Sequence, residues 1–204
     1  MKNKYLYISI FLALLILVTT IPFLYESASM FYKTGMDKLL LRTGKIIGLI
    51  AALLIIFQPF FVANIKFFNR IFNVKSLYKY HRYSGAIILA LSIVHPVLIL
   101  WSNDFVFFSF EMKYWPEFTG IILTTFLIPF IIISTFQKQI NLDYKIWRRI
   151  HRILAPLLIT LMFLHIFNVS TSFEEGVPFY GLVFVGCITV FLVVRKFMRN
   201  IKHL

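Results

Sequence analysis

Cysteine and charge are the scarce components of this sequence. Of its 204 residues only one, Cys187, is a cysteine, which excludes an intrachain disulfide and any cysteine-ligated cluster. Charged residues make up only 14% of the chain, well below the share usual in soluble domains. Acidic residues are the rarest, with 8 Asp and Glu against 21 Lys and Arg. A soluble domain of ordinary composition is therefore excluded.

Long apolar stretches take the place of the missing charge. Apolar residues make up 60% of the chain, and the mean hydropathy is +0.84. Six stretches are each long enough to cross roughly 30 Å of hydrocarbon as a helix. They cover residues 5–24, 43–65, 82–101, 118–136, 150–168 and 179–194. We therefore expect an all-α polytopic membrane protein, a six-helix transmembrane bundle in membrane lipid that forms one domain over residues 1–204.

The first stretch can be interpreted as a retained helix or as a cleaved secretory signal. Lys2 and Lys4 precede it, as in a signal, but its apolar core is longer than the core of a typical signal. We expect a retained helix, and the orientation of the other five stretches is the same in both cases.

Positive charge is distributed unevenly between the two sides of the expected bundle. If the N-terminus is cytoplasmic, 16 of the 21 basic residues lie on the cytoplasmic side and seven of the eight acidic residues lie outside. This is the positive-inside bias of membrane proteins. It predicts a multi-pass protein of the cell membrane with both termini in the cytoplasm. Because it also explains the net charge of +13, nucleic acid is not an expected partner.

Four of the five histidines lie within or beside apolar stretches, where ionisable side chains are costly and usually functional. They are His81, His95, His151 and His165. His81 and His95 are 14 residues apart, and so are His151 and His165. In a helix, 14 residues bring a side chain back to within about 40° of its first direction, about 21 Å along the axis. Each of these two pairs is therefore expected on one helix face.

The third and fifth stretches run in the same direction, since one return helix separates them. His81 is thus expected opposite His151 near the cytoplasmic surface, and His95 opposite His165 further out. Two opposed imidazoles can supply both axial nitrogens of a haem iron. The sequence therefore predicts two stacked haem sites between these helices, with the four histidines as cofactor and metal ligands. No catalytic residue is predicted.

Residues beside the histidines suit a flat macrocycle. Gly85 and Ala155, one turn beyond His81 and His151, are small. Basic residues nearby can pair with haem propionates. They are Lys79, Arg82, Arg149 and Arg152 for the inner haem, and Arg42 and Lys45 for the outer one. Snorkelling anchors at the membrane surface explain the inner four equally well.

Other roles for the histidines stay open on the sequence alone. A histidine in a membrane helix can simply bond to a neighbouring helix. Zinc also accepts imidazole, although ligands about 21 Å apart cannot share one ion. A haem-free transporter would use histidines as proton relays. The cytochrome b subunit of quinol-oxidising complexes also pairs histidines on two helices and has a sequence similar to Pro116-Glu117, but it needs more helices.

Two segments carry a family resemblance. KYHRYSGAIILALSIVHP, residues 79–96, and WRRIHRILAPLLITLMFLH, residues 147–165, resemble the ferric reductase-like transmembrane domain. This is the six-helix haem module of ferric reductases, NADPH oxidases and the haem subunit of the bacterial methionine sulfoxide reductase system. The resemblance implies two haem b groups on His81, His95, His151 and His165. It also implies electron flow from a cytoplasmic flavin donor to an acceptor at the outer face.

One departure from that family concerns the electron donor. The sequence contains no glycine-rich dinucleotide fingerprint and ends soon after the sixth stretch. The resemblance therefore implies an oxidoreductase component reduced by a separate cytoplasmic flavoprotein or ferredoxin, or by a quinol. A flavin would be supplied by that partner or bound at the inner face. The expected acceptor is a ferric chelate, oxygen or an extracytoplasmic redox partner.

Overall fold

The described part of the chain is helical and contains no strand. The computed structural model describes residues 2–63, 65, 69, 71–106, 111 and 114–201, with the backbone alone at 2–4, 197 and 199–201. The α-helices with described bounds are α1 (Lys2–Leu24), α2 (Ala28–Phe31), α3 (Gly35–Val62), α4 (Val74–Trp101), α5 (Trp115–Thr135), α6 (Tyr144–Val169) and α7 (Gly176–Ile201). All except α2 are long and apolar enough to cross a membrane. The expected all-α architecture with six spans is confirmed.

The predicted spans mark the apolar centres of the helices, and most helices begin earlier. The structure starts α3, α4 and α6 at residues 35, 74 and 144, where the apolar runs predicted 43, 82 and 150. Likewise α5 and α7 begin at residues 115 and 176 instead of 118 and 179. At its other end α3 stops at Val62, so Ile65 lies outside the helix. Apolar runs mark the part of a helix that crosses the hydrocarbon, and they do not include the polar turns at its ends.

Side-chain caps define two of the early starts. The Asn73 side chain accepts a hydrogen bond from the Lys75 backbone N–H at 3.0 Å, which caps α4. The Asp143 carboxylate accepts bonds from the N–H groups of Lys145 at 2.8 Å and Ile146 at 3.0 Å, which caps α6. Such caps satisfy backbone donors that the first turn of a helix leaves unpaired. A helix of 28 residues is about 42 Å long and extends beyond about 30 Å of hydrocarbon.

The two histidine helices each pack mainly against a different partner. Helix α4 lies along α3, and α6 lies along α5, while α1 and α7 also contact α3. The approach of α3 to α4 is close at Gly44, where an added Cβ would lie 2.8 Å from Cδ1 of Ile99. Among the described residues α4 and α6 are not closely packed against each other. Helices α3 and α5 thus support the two histidine helices, α4 and α6, which lie side by side.

An apolar core fills the centre of the bundle. Ile88 on α4 and Leu158 and Met162 on α6 are 2%, 3% and 2% exposed, and they join buried side chains of α3 and α5. Ile88 lies seven residues from both His81 and His95, and Leu158 is placed in the same way between His151 and His165. The core therefore separates the two levels at which the histidines lie.

The segment between α1 and α3 connects the loops at one end of the bundle. Ser172 donates to the carbonyl of Tyr25 at 2.6 Å, and the N–H of Ala28 donates to Thr171 at 3.0 Å. Lys33 donates to the carbonyl of Ser102, at the end of α4. We call this the His95 end, and the opposite end the His81 end.

The cap of α6 gives a direct stability test. Replacing Asp143 by Ala should lower the free energy of unfolding by about 1 kcal/mol, because two backbone N–H groups lose their acceptor. Thermal or denaturant unfolding of the purified protein in detergent measures the change. Asp143→Asn is the matched control, since it removes the same charge and keeps a capping oxygen. Equal destabilisation by both variants would contradict the capping role.

Candidate functional site

The structure brings the four membrane histidines together as two pairs. The ring centroids of His81 and His151 are 6.2 Å apart, with planes at 69°. Those of His95 and His165 are 6.4 Å apart, with planes at 77°. One member of each pair comes from α4 and the other from α6, so the two helices run parallel with their histidines at matching levels.

The ring separation suits a shared metal centre. Two metal–imidazole bonds of about 2 Å each, with every ring centroid about 1 Å beyond its nitrogen, place two opposed axial imidazoles about 6 Å apart. Both pairs have this separation. In the described part of the chain, no three His, Cys, Asp or Glu side chains are grouped as metal ligands. The donor set consists of imidazole pairs, which fit the two axial positions of a haem iron.

Hydrogen bonds define which ring nitrogen of His95 and of His165 carries the proton. Nδ1 of His95 lies 2.8 Å from the carbonyl oxygen of Gly44, and Nδ1 of His165 lies 3.2 Å from that of Pro116. A carbonyl oxygen can only accept, so both Nδ1 atoms carry the proton and donate it. Nε2 of each ring then keeps its lone pair, which is the form that ligates a metal.

The histidines of the pair at the His81 end, His81 and His151, have different contacts. Nδ1 of His151 lies 3.3 Å from the hydroxyl of Ser134, which also accepts a bond of 3.4 Å from the indole N–H of Trp147. The His151 ring stacks on Phe130 with centroids 4.8 Å apart. Nδ1 of His81 is buried, and no described residue offers it a partner in good hydrogen-bond geometry.

Space is open beside His81, one turn along α4. A Cβ added at Gly85 would meet no atom of a described residue within 4 Å. Since Gly85 lies four residues after His81, it is on the histidine face of the helix. This opening agrees with the expectation of small residues where a macrocycle enters.

The basic residues expected to meet propionates differ in exposure and in their contacts. Lys79, Arg82 and Arg149 are exposed, and Lys79 lies over the ring of Tyr83 at 5.6 Å. Arg152 is half-buried. At the other end Arg42 forms an ion pair with Glu26, and Lys45 donates to Ser27 and Ser29. A further lysine that the sequence did not single out, Lys196 on α7, donates to the Val62 carbonyl at 2.6 Å.

The sequence does not predict four partners of the histidine rings. They are the hydroxyls of Ser134 and Thr119 and the backbone carbonyls of Gly44 and Pro116. All four belong to α3 or α5, and their contacts depend on how these helices pack. The pair Pro116-Glu117, which suggested a quinol site, supplies the carbonyl that holds His165.

Comparison with protein families decides the assignment. The family model described as ferric reductase like transmembrane component matches residues 47–162. The chain belongs to this family. The matched region includes His81, His95 and His151, and His165 lies just beyond its end. Comparisons with curated proteins and with solved structures give no significant match.

Membership of the ferric reductase-like family confirms the resemblance carried by residues 79–96 and 147–165. It indicates transmembrane electron transfer as the broad function, and the six long apolar helices make this a multi-pass membrane protein.

An ion-pair cluster at the His95 end predicts a pH dependence of stability. Lys38 donates to the Glu26 carboxylate at 3.2 Å, and this bond, with the charges of Lys38 and Arg42, lowers the pKa of Glu26 below its ordinary value of 4.5. A carboxyl whose pKa is lowered on folding stabilises the protein above its unfolded pKa, and that stability is lost as the pH falls through the folded pKa. Unfolding measured from about pH 6 to pH 3 should therefore show an acid-dependent loss that Glu26→Gln reduces. Glu174→Gln, at an exposed carboxyl of the same end, is the control, and an equal effect of both variants would contradict the assignment.

Proposed function

We propose that the protein is a transmembrane di-haem b cytochrome, which carries electrons from a cytoplasmic donor to an extracytoplasmic acceptor. The observation that supports this most strongly is the repeated geometry of the histidines. Two imidazole pairs, 6.2 and 6.4 Å between centroids, face each other at two levels of one bundle. Each pair suits one haem, and the two levels suit transfer across the membrane.

The residues of the chain would hold and orient each haem, while the haem iron supplies reversible one-electron chemistry when bound. His81 and His151 would ligate the inner haem, and His95 and His165 the outer one. Nδ1 of His95 and of His165 donates to a carbonyl, and Nδ1 of His151 shares a hydrogen bond with the Ser134 hydroxyl. These bonds hold the rings in orientation. The buried layer of Ile88, Leu158 and Met162 keeps water from the region between the two levels.

Charge supports an orientation with the His81 end in the cytoplasm of the cell. The loops and helix ends on that side hold 16 of the 21 basic residues, which is the arrangement of the positive-inside rule. Both termini are then cytoplasmic, and the ion-pair cluster of Glu26, Lys38 and Arg42 lies outside. The acceptor would meet the His95 end, as a ferric chelate, oxygen or a redox partner protein.

The donor would meet the His81 end. Basic side chains there are exposed, among them Lys75, Lys79, Arg148 and Arg149. A surface of one charge sign speeds the encounter with a partner of the opposite sign. An acidic flavoprotein or ferredoxin, carrying its own flavin or cluster, suits this surface better than an uncharged quinol.

Haem content tests the proposed function. The purified protein should hold two haems per chain, measured as the pyridine haemochrome against protein concentration. His95→Ala should remove the outer haem and leave most of the inner signal, because ligands of separate sites act nearly independently. His81→Ala should do the reverse.

A protein without visible absorbance would contradict the cytochrome proposal and favour a proton-relay transporter. One haem in the unaltered protein would contradict the double site. Equal loss of both haems in His95→Ala, with unchanged thermal unfolding, would contradict the assignment of His95 to the outer haem alone.

Neutralising the basic surface tests the donor. Replacing Lys75, Lys79, Arg148 and Arg149 by Gln should slow reduction by an acidic flavoprotein or ferredoxin by roughly tenfold or more, and should weaken its dependence on salt. Stopped-flow measurement of haem reduction at several ionic strengths gives both quantities. An uncharged small-molecule reductant, which electrostatic steering does not affect, serves as the control. Unchanged rates with the acidic protein would contradict the docking surface and favour a quinol.

A further inference from the structure

The two histidines at the His95 end are held in the same way on two different helices. Nδ1 of His95 donates to the carbonyl of Gly44 on α3, and the residue four positions later is Gly48. Nδ1 of His165 donates to the carbonyl of Pro116 on α5, and the residue four positions later is Gly120. Each imidazole therefore bonds to a helix carbonyl that is followed, one turn on, by a glycine.

Helix geometry explains why a glycine is needed at that position. The Cα–Cβ bond of a helical residue tilts toward the N-terminus, so its side chain covers the preceding turn. A side chain four residues after a carbonyl thus lies over that carbonyl and hinders an approach from outside the helix. Glycine at this position leaves the carbonyl accessible.

The space that a Cβ would need is taken by the histidine rings themselves. A Cβ at Gly48 would lie 2.7 Å from both Cε1 and Nδ1 of His95. A Cβ at Gly120 would lie 2.5 Å from Cε1 and 2.9 Å from Nδ1 of His165. Such distances lie inside van der Waals contact, so alanine at either position forces the ring away from its carbonyl.

Gly44 shows what an ordinary packing glycine looks like in the same helix. A Cβ there would meet Ile99 and Leu98, the apolar side chains that join α3 to α4. Gly48 and Gly120 instead meet a histidine each. The pair at the His81 end differs, because the described partner of His151 Nδ1 is the Ser134 hydroxyl and not a carbonyl. Nδ1 of His165 also lies 3.4 Å from the Thr119 hydroxyl, in addition to the Pro116 carbonyl.

We propose that Gly48 and Gly120 are positioning residues for the outer haem. By admitting His95 and His165 to the carbonyls of Gly44 and Pro116, they fix the protonated Nδ1 and direct both Nε2 atoms toward each other. A partner that orients a metal-bound histidine and raises its basicity typically changes metal affinity 10–100-fold when it is lost, as an order-of-magnitude guide. This inference rests on the proposed haem function. It adds two residues, one on α3 and one on α5, that lie against the two outer ligands.

The test compares three alanine variants of the full-length, haem-loaded protein. Gly48→Ala and Gly120→Ala are the test variants. Gly181→Ala is the matched control, since it makes the same change in a transmembrane helix where a Cβ would meet nothing within 4 Å. Haem per chain, the rate of haem transfer to excess apomyoglobin and the electron paramagnetic resonance spectrum are measured for each. Thermal unfolding identifies any variant that has lost its fold.

Gly48→Ala and Gly120→Ala should each release one haem roughly 10–100-fold faster than the unaltered protein, and should shift only one of its two low-spin signals. The double variant should release the same haem at least as fast as either single variant and keep the other haem, because both glycines serve one site through different ligands. Gly181→Ala should match the unaltered protein in every measurement.

Two haems with unchanged release and spectra in Gly48→Ala and Gly120→Ala would overturn the positioning role and leave the haem proposal standing. Loss of a different haem in each variant would also overturn it, since the two residues would then serve separate sites. An unaltered protein without haem would refute the proposed function itself, so the two failures are distinguishable.

Discussion

The lateral separation of α4 and α6 is the constraint on which the site depends. These helices carry all four membrane histidines, yet each packs mainly on a different neighbour, α4 on α3 and α6 on α5. Closer packing between them would leave no room between the rings, and wider spacing would place the rings out of reach of a common metal. The bundle sets centroid distances of 6.2 and 6.4 Å at two levels. Equal spacing at both levels follows from two parallel helices with the same 14-residue repeat.

Helices α3 and α5 supply hydrogen-bond partners for the buried polar nitrogens of the histidines. A buried polar group without a hydrogen bond is costly, by roughly 1–3 kcal/mol in proteins. Nδ1 of His95 and of His165 avoids that cost through helix carbonyls, and Nδ1 of His151 through a hydroxyl. The same carbonyl bonds leave Nε2 of His95 and of His165 with its lone pair. Satisfying one nitrogen thus leaves the other available for the haem iron that we propose, which would connect the packing of α3 and α5 to the chemistry of α4 and α6.

Periodic features of the sequence predicted most of the fold and the histidine pairing. Six apolar runs mark the six spans, and the repeated spacing of His81 with His95 and His151 with His165 predicts facing rings. Helix starts were less predictable, because polar first turns and caps such as Asp143 lie outside the apolar runs. The partners of the rings leave no periodic signal, since they come from other helices. Arg42 shows the same difficulty, because its ion pair with Glu26 depends on how the preceding segment folds back.

Electron paramagnetic resonance of the oxidised, purified protein tests the central claim most directly. An iron held between two imidazoles at each level predicts two low-spin ferric haem signals of the bis-histidine type. Oxidised protein that shows no haem signal, or only high-spin iron with an open axial position, would contradict the opposition of imidazoles across the gap between α4 and α6.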